Sequence, residues 1–119
     1  MAILSEEQSM LREAARGWVD VRSPITAFRK MRDSGNPLHF DTDSWKQQAA
    51  LGWAGVIIPE EYGGSDFGFL SMGLVLEELG RTLVASPLLA SGLVAASAIT
   101  LGGDEAQKQE WLPAIAEGT

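Results

Sequence analysis

The stretch PEEYGG, residues 59–64, combines the residue types of two kinds of functional site. Glu60 and Glu61 are adjacent carboxylates, and such pairs serve as general acid and base when their surroundings set the two pKa values apart. Gly63 and Gly64 follow, and glycine-rich turns can present backbone N–H groups to a phosphate. The third interpretation is a shaped corner with no chemistry of its own.

Spacing favours the corner. Side chains of sequence neighbours diverge on a helix and on a strand, so we expect Glu60 and Glu61 to be solvated rather than paired. The glycines match neither the G-x-x-x-x-G-K-[ST] nor the G-x-G-x-x-G phosphate motif, and three acidic residues surround them. We therefore expect Gly63 and Gly64 to adopt positive φ values in a tight turn.

The sole histidine and a short acidic motif complete no site. No nearby serine and aspartate are placed to form a triad with His39, so a surface or turn position is expected for it. Asp41-x-Asp43 begins like a calcium loop, but Trp45 and Lys46 occupy positions that need an oxygen ligand and a glycine. The sequence therefore predicts neither a triad nor a calcium site here.

One acidic pair is explained by helix stability. Glu77 and Glu78 precede Arg81 by four and three residues, the spacing of helical ion pairs. Such pairs contribute a few tenths of a kcal/mol when exposed, roughly 0.3–0.5. No catalytic residue and no metal ligand is assigned in this chain.

Composition excludes several function classes. The chain has 119 residues, the size of one domain, and its net charge of −7 argues against nucleic acid or an anionic membrane as partner. Absence of cysteine excludes disulfides and thiolate chemistry and fits a cytoplasmic location. Acidic residues from Glu6 onward argue against a signal or transit segment. Residues 82–103 carry no charge, but their serines and glycines favour a buried helix over a membrane span.

Apolar residues recur at helical spacing, which predicts an all-α fold. We expect an orthogonal or up-down bundle of about five to six helices. The only β-like run is residues 56–58, which is too short to form a sheet.

Local signals place the helix boundaries. The first helix is predicted to start at a capping box, Ser5–Gln8, and to end near Val21 or Arg22 before Pro24, where a short second helix begins. A third helix is predicted to start within residues 41–44 and to end at a left-handed Gly52, and a fourth to be capped by Ser65 or Asp66. A further helix after Pro87 is predicted to extend to Leu101, and the last helix to start at a second capping box at Asp104. Pro113 is expected to break or kink the last helix.

The joined stretch GWAGVIIPEEYGGSDFGFLSMGLVLEELGR, residues 52–81, resembles the N-terminal part of the flavin-dependent acyl-CoA dehydrogenases. That family shows a glycine, an apolar run, Pro-Glu, an aromatic residue, paired glycines and then a helix with Glu-Glu-Leu-Gly. The tail is similar too, with Gly103-Asp104-Glu105-Ala106-Gln107-Lys108, Trp111-Leu112-Pro113 and Glu117-Gly118. The resemblance covers nearly all of residues 1–119 and about a third of such an enzyme.

The resemblance implies an N-terminal helical domain, with the middle β-domain and the C-terminal helical domain absent from this sequence. In the family, FAD lies mainly between those two domains, and the base that takes the α-proton is usually a glutamate of the C-terminal one. The resemblance therefore implies no catalytic and no cofactor-binding residue here, and no FAD bound to this chain alone. It implies that Ser86, Leu89, Ala90 and Leu93 line the acyl pocket, and their spacing would place them on one helical face.

The resemblance also implies partners. The parent enzyme would take an acyl-CoA substrate, remove hydrogens from Cα and Cβ, and pass electrons to an electron-transfer flavoprotein. The Ser86-Pro87 pair resembles the sequence at this place in bacterial relatives that act on steroid side-chain or other bulky acyl-CoA thioesters. Some of those relatives are heteromers with a non-catalytic subunit. The chain is expected to pack on the missing domains or on a homologous subunit, and to self-associate when isolated.

The alternative hypothesis is a protein that functions without the missing domains. The chain would then be a stand-alone helical subunit that docks on a dehydrogenase partner or holds an acyl chain. Such a module should be monodisperse and should unfold cooperatively.

Overall fold

The computed structural model describes residues 3–119 and is all-α, as the sequence predicts. No strand occurs within these residues. The helices are α1 (Glu6–Arg22), α2 (Ile25–Asp33), α3 (Thr42–Ala50), α4 (Phe69–Arg81), a π-helical segment (Leu89–Ala95) that continues into α5 (Ala96–Gly102), and α6 (Glu105–Glu117). Two 3₁₀ turns, Trp53–Gly55 and Glu60–Tyr62, lie between α3 and α4.

Local capping explains the ends of the first helices. The Ser5 hydroxyl accepts a hydrogen bond from the Gln8 amide, and the Gln8 side chain accepts from the Ser5 amide, which confirms the first capping box. α1 ends at Arg22 because Pro24 disfavours helical backbone at Ser23. Pro24 then serves as the N-cap of α2.

The later boundaries agree with the sequence in part. Gly52 is left-handed with φ 85°, and Asp104 with Gln107 forms the second capping box. The cap predicted for α4 is wrong: α4 starts after Gly68, whose φ is 87°, and no side chain caps it. Pro113 does not break α6, which continues to Glu117, because the second capping box at Asp104 fixes the start of the helix and the left-handed Gly118 fixes its end, while Leu112 is buried in the core.

The core forms where α1 and α4 pack together and where the turn residues pack beneath α6. Its largest fully buried side chains are Trp53, Ile58, Met72, Leu88 and Leu112. Trp18 of α1 meets Trp53 edge to face, with ring centroids 5.4 Å apart and an interplanar angle of 81°. Residues 56–58, the β-like run, are buried in this core and do not form a strand.

The uncharged run of residues 82–103 does not form a membrane-spanning helix. None of the helices described within residues 3–119 combines the length and apolarity needed to cross a bilayer.

Candidate functional site

An apolar groove of about 570 Å³ lies between α4 and the segment that leads into the π-helical turn. Leu76, Leu79 and Gly80 of α4 form one side of it. Ser86, Leu88 and Leu89 form the other, and Phe28 of α2 is also part of the lining. The volume is within the range of about 300–1,000 Å³ that small-molecule sites occupy.

Two of the four predicted pocket residues line this groove. Ser86 and Leu89 belong to its wall, and Leu89 is 55% exposed. Ala90 is exposed outside the groove wall, while Leu93 packs against the core. The expectation that all four share one helical face is wrong, because Ser86 precedes the helix and residues 89–95 are π-helical. Their role in substrate binding stays a prediction.

The Ser86 hydroxyl is fixed by two hydrogen bonds. It donates to Oε1 of Gln48 at 2.6 Å and accepts from the Leu88 amide at 3.1 Å. Gln48 is fully buried on α3, and its amide nitrogen contacts the Ser44 hydroxyl at 3.3 Å. Ser86 therefore starts the helix and ties it to α3, and the hydroxyl has one lone pair left for a ligand.

The π-helical segment was not predicted from the sequence. Gly92 lies at its centre, and a Cβ there would meet the Leu88 side chain at 2.9 Å and Met72 Cε at 3.3 Å. The backbone of the segment therefore packs directly against the core at Gly92, because this residue has no side chain. A glycine within an uncharged run was the available signal, and π-turns often occur at functional sites.

The PEEYGG corner has no paired carboxylates. Glu60 and Glu61 are both exposed, as expected for a solvated turn. Tyr62 is buried, and its hydroxyl donates to the Glu105 carboxylate, whose two oxygens are each 2.9 Å away. Burial, together with this hydrogen bond, raises the pKa of Tyr62 to about 12. The tyrosine thus joins the corner to the start of α6.

The two glycines of the corner act by different means. Gly63 is left-handed with φ 92°, as predicted. Gly64 does not have a positive φ; it is needed because a Cβ there would lie 2.0 Å from the Ile58 carbonyl oxygen. The same oxygen accepts from the Asp66 amide at 3.0 Å, and Phe67 donates to Val56 at 2.7 Å. The two sides of the corner are held together by backbone.

This corner does not fit the pyrophosphate of a flavin. Ile58 occupies the space beside Gly64 that a phosphate cradle leaves open, and Glu60 and Glu61 flank it with negative charge.

A buried carboxylate joins α1 to α4. Glu78 is 3% exposed and accepts a hydrogen bond from Arg81 at 2.8 Å and from Arg16 at 3.4 Å. Arg81 also donates to Asp20 at 2.8 Å. Burial alone raises the pKa of Glu78, but the hydrogen bonds from the two arginines outweigh it and leave that pKa lowered. The predicted helical pairing with Arg81 forms for Glu78 but not for Glu77, which is exposed, and the burial of Glu78 was not predicted.

His39 and the acidic pair before α3 have structural positions. His39 is exposed in a turn with φ 60° and lies at the edge of the groove. Asp41 caps α3 by accepting from the Asp43 amide at 2.9 Å. No group of three potential metal ligands occurs within residues 3–119.

Comparison with known proteins identifies the family. The profile described as "Acyl-CoA dehydrogenase, N-terminal domain" matches residues 5–119. The acyl-CoA dehydrogenase FadE12 of Mycobacterium tuberculosis is 33% identical over 98% of this chain and 29% of its own length. The chain thus spans less than a third of that relative.

Solved structures agree with this match. A chain of the ChsE4–ChsE5 complex from Mycobacterium tuberculosis superposes with a TM-score of 0.86 at 28% identity, over 99% of this chain and 32% of that one. A chain in the structure of the electron transferring flavoprotein of Acidaminococcus fermentans superposes with a TM-score of 0.78 at 29% identity, over 100% of this chain and 31% of that one. The all-α fold, the family profile and these relatives together show that the chain belongs to the acyl-CoA dehydrogenase family, as an N-terminal domain.

Proposed function

We propose that this chain is the N-terminal helical domain of a flavin-dependent acyl-CoA dehydrogenase, that it supplies part of the acyl-pocket wall and a packing surface, and that it is inactive alone. The family match over residues 5–119 carries the proposal. The parent enzyme would oxidise the Cα–Cβ bond of an acyl-CoA thioester and transfer electrons to a flavoprotein. FAD would supply the hydride chemistry, and the protein would supply orientation and electrostatics.

The groove lined by Ser86 and Leu89 supports the pocket-wall role. Its surface is mostly apolar, as an acyl chain requires, and the Ser86 hydroxyl is one polar group at its edge. Leu89 is exposed in this chain, and covering it with an acyl chain would remove apolar surface from water. Ala90 and Leu93 remain weaker candidates, because neither belongs to the groove wall.

The activity of this family requires bound flavin, so a visible absorption spectrum tests whether the isolated chain can hold that cofactor. The purified 119-residue protein is mixed with FAD and passed through gel filtration. We expect no retained flavin band. A stoichiometric band would contradict the proposal and place a cofactor site on these helices.

The pocket-wall role is tested by NMR with excess octanoyl-CoA. We expect amide shifts at Ser86 and Leu89 that Leu89→Trp removes by filling the groove. Val94→Trp is the matched control, since Val94 is similarly exposed outside the groove wall. Unchanged amides at Ser86 and Leu89, or equal effects of the two variants, would contradict the role.

A stand-alone subunit is the second candidate function. The similarity to a chain of the ChsE4–ChsE5 complex favours it. The similar chain in the structure of the electron transferring flavoprotein supports a flavoprotein as partner of the parent enzyme. Steroid or fatty acyl substrates and a cytoplasmic location stay predictions.

Sedimentation separates the two candidates. A monodisperse chain with cooperative unfolding would favour the subunit, and self-association with binding of a hydrophobic dye would favour the domain.

A further inference from the structure

A second groove of about 420 Å³ is lined by residues from the end of α1, from one side of α2 and from the start of α3. Its apolar wall consists of Ala27, Phe28, Met31 and Ala85, while Arg22 and Lys30 stand among its lining residues. Phe28 and Ala85 also line the groove that contains Ser86, so the two grooves are neighbours that share a wall. A cavity of this size accepts a small molecule.

The two cations in this groove have no ionic partner. Neither Arg22 nor Lys30 forms a salt bridge with a side chain of residues 3–119. The one acid in the groove lining, Asp41, already accepts the Asp43 amide as the cap of α3. In a chain of net charge −7, this groove is a place where positive charge exceeds negative charge.

Three of the four neutral polar side chains in the groove lining, those of Ser34, Asn36 and Ser44 but not of Ser23, already form hydrogen bonds. The Ser34 hydroxyl donates to the Met31 carbonyl at 2.7 Å, and Ser44 accepts from Gln48 at 3.3 Å. The Asn36 side chain donates to the Phe40 carbonyl at 3.1 Å and accepts from the Leu38 amide at 2.9 Å. The guanidinium of Arg22 and the ammonium of Lys30 are therefore the charged groups of the groove lining that are available to a ligand.

The geometry points to a binding site for an aliphatic carboxylate, with its carboxylate held by Arg22 and Lys30 and its chain lying against Phe28 and Met31. An inorganic anion would leave the apolar wall uncovered, and a neutral hydrocarbon would gain no charge-assisted hydrogen bond from the two solvent-exposed cations. Charge-assisted hydrogen bonds to a carboxylate are about twice as strong as neutral ones, so both parts of the groove favour this class of ligand. The ligand is either a free fatty acid or the distal carboxylate of a diacid thioester, and the second source rests on the proposed function.

The test is an NMR titration of the 119-residue chain with decanoate, with decanol as the neutral analogue. We expect decanoate to shift the amides of Ala27 and Met31 and to bind at least about tenfold more tightly than decanol. Arg22→Gln and Lys30→Gln should each weaken decanoate binding about tenfold. Arg29→Gln is the matched control, because it removes the same charge from an exposed position on α2 outside the groove lining.

Three results would overturn the inference. They are equal affinities for decanoate and decanol, equal weakening by Arg29→Gln and Arg22→Gln, and shifts that spare α2. The wild-type map remains decisive even where a variant is poorly folded.

Two CoA thioesters separate the sources. Binding of the mono-CoA thioester of decanedioate, but not of decanoyl-CoA, in the groove with the same dependence on Arg22 identifies the distal carboxylate. Free decanoate binding alone identifies the fatty acid. A failed flavin or acyl-groove test leaves the decanoate result standing, so the two proposals fail separately.

Discussion

The buried carboxylate of Glu78 should make a measurable contribution to stability. The perturbation is Glu78→Gln, and the matched control is Glu77→Gln, which removes the same charge from the exposed neighbouring position. Because Glu78 is 3% exposed and accepts from two arginines, its replacement loses charge-assisted bonds that water does not replace.

The magnitude follows from the exposure of the partners. Hydrogen bonds to charged groups contribute about 1.5–3 kcal/mol each. Here the Arg16 and Arg81 side chains are 60% and 40% exposed and can be solvated again when the carboxylate is lost, so the ion-pair part is discounted. We expect Glu78→Gln to lower the free energy of unfolding by about 2 kcal/mol, and Glu77→Gln to change it by less than about 0.5 kcal/mol.

The sign of the pH dependence is fixed by the lowered pKa of Glu78. A lowered folded-state pKa stabilises the protein above the unfolded value of about 4.3, and this stabilisation is lost as the pH falls through the folded-state value. The difference between wild type and Glu78→Gln should therefore be full at neutral pH and should shrink as the pH falls below about 4.

Urea unfolding followed by circular dichroism measures both quantities. Equal effects of the two substitutions at neutral pH would refute the assignment of a special role to the buried carboxylate. A difference between wild type and Glu78→Gln that stays constant on acidification would refute the ionic origin of the effect.

Three further outcomes are expected in the same unfolding assay. Arg81→Gln should lower the free energy of unfolding by about 3 kcal/mol at neutral pH, because it leaves the buried Glu78 carboxylate with only the longer contact to Arg16. This loss should diminish in acid, and a loss that grows in acid would contradict the reasoning. Gly64→Ala should cost about 3 kcal/mol or more by overpacking against backbone, whereas Gly63→Ala should cost about 1–2 kcal/mol of left-handed strain; the reverse order would contradict the geometry. Tyr62→Phe should cost about 1 kcal/mol by removing its bond to the carboxylate on α6, and an unchanged midpoint would show that water replaces this bond.

The glycine pair shows how far sequence reasoning reaches into a turn. Gly63 was predicted from turn chemistry, because positive φ is a property of the residue and its immediate neighbours. Gly64 was assigned the same reason, but its actual constraint is the Ile58 carbonyl six residues earlier. No local pattern reports a contact between two backbone segments.

The candidate site shows the same division. The sequence pointed to Ser86 and Leu89 through a resemblance, and both line the groove. It also pointed to Ala90 and Leu93, assuming regular helical spacing that the π-helical segment does not keep. The role of Gln48 in fixing Ser86 was not predicted, because the two residues are 38 positions apart.

The sequence by itself determined that the fold is all-α and where several helices begin and end, since capping boxes, proline positions and apolar spacing act within a few residues of one another. It also determined the family through an ordered motif. The tertiary structure alone decided that Glu78 is buried, that the glycine corner closes on Ile58 and that two grooves share Phe28. The physical reason is that burial and cavities depend on which helix faces meet, and those contacts join residues that are far apart in the chain.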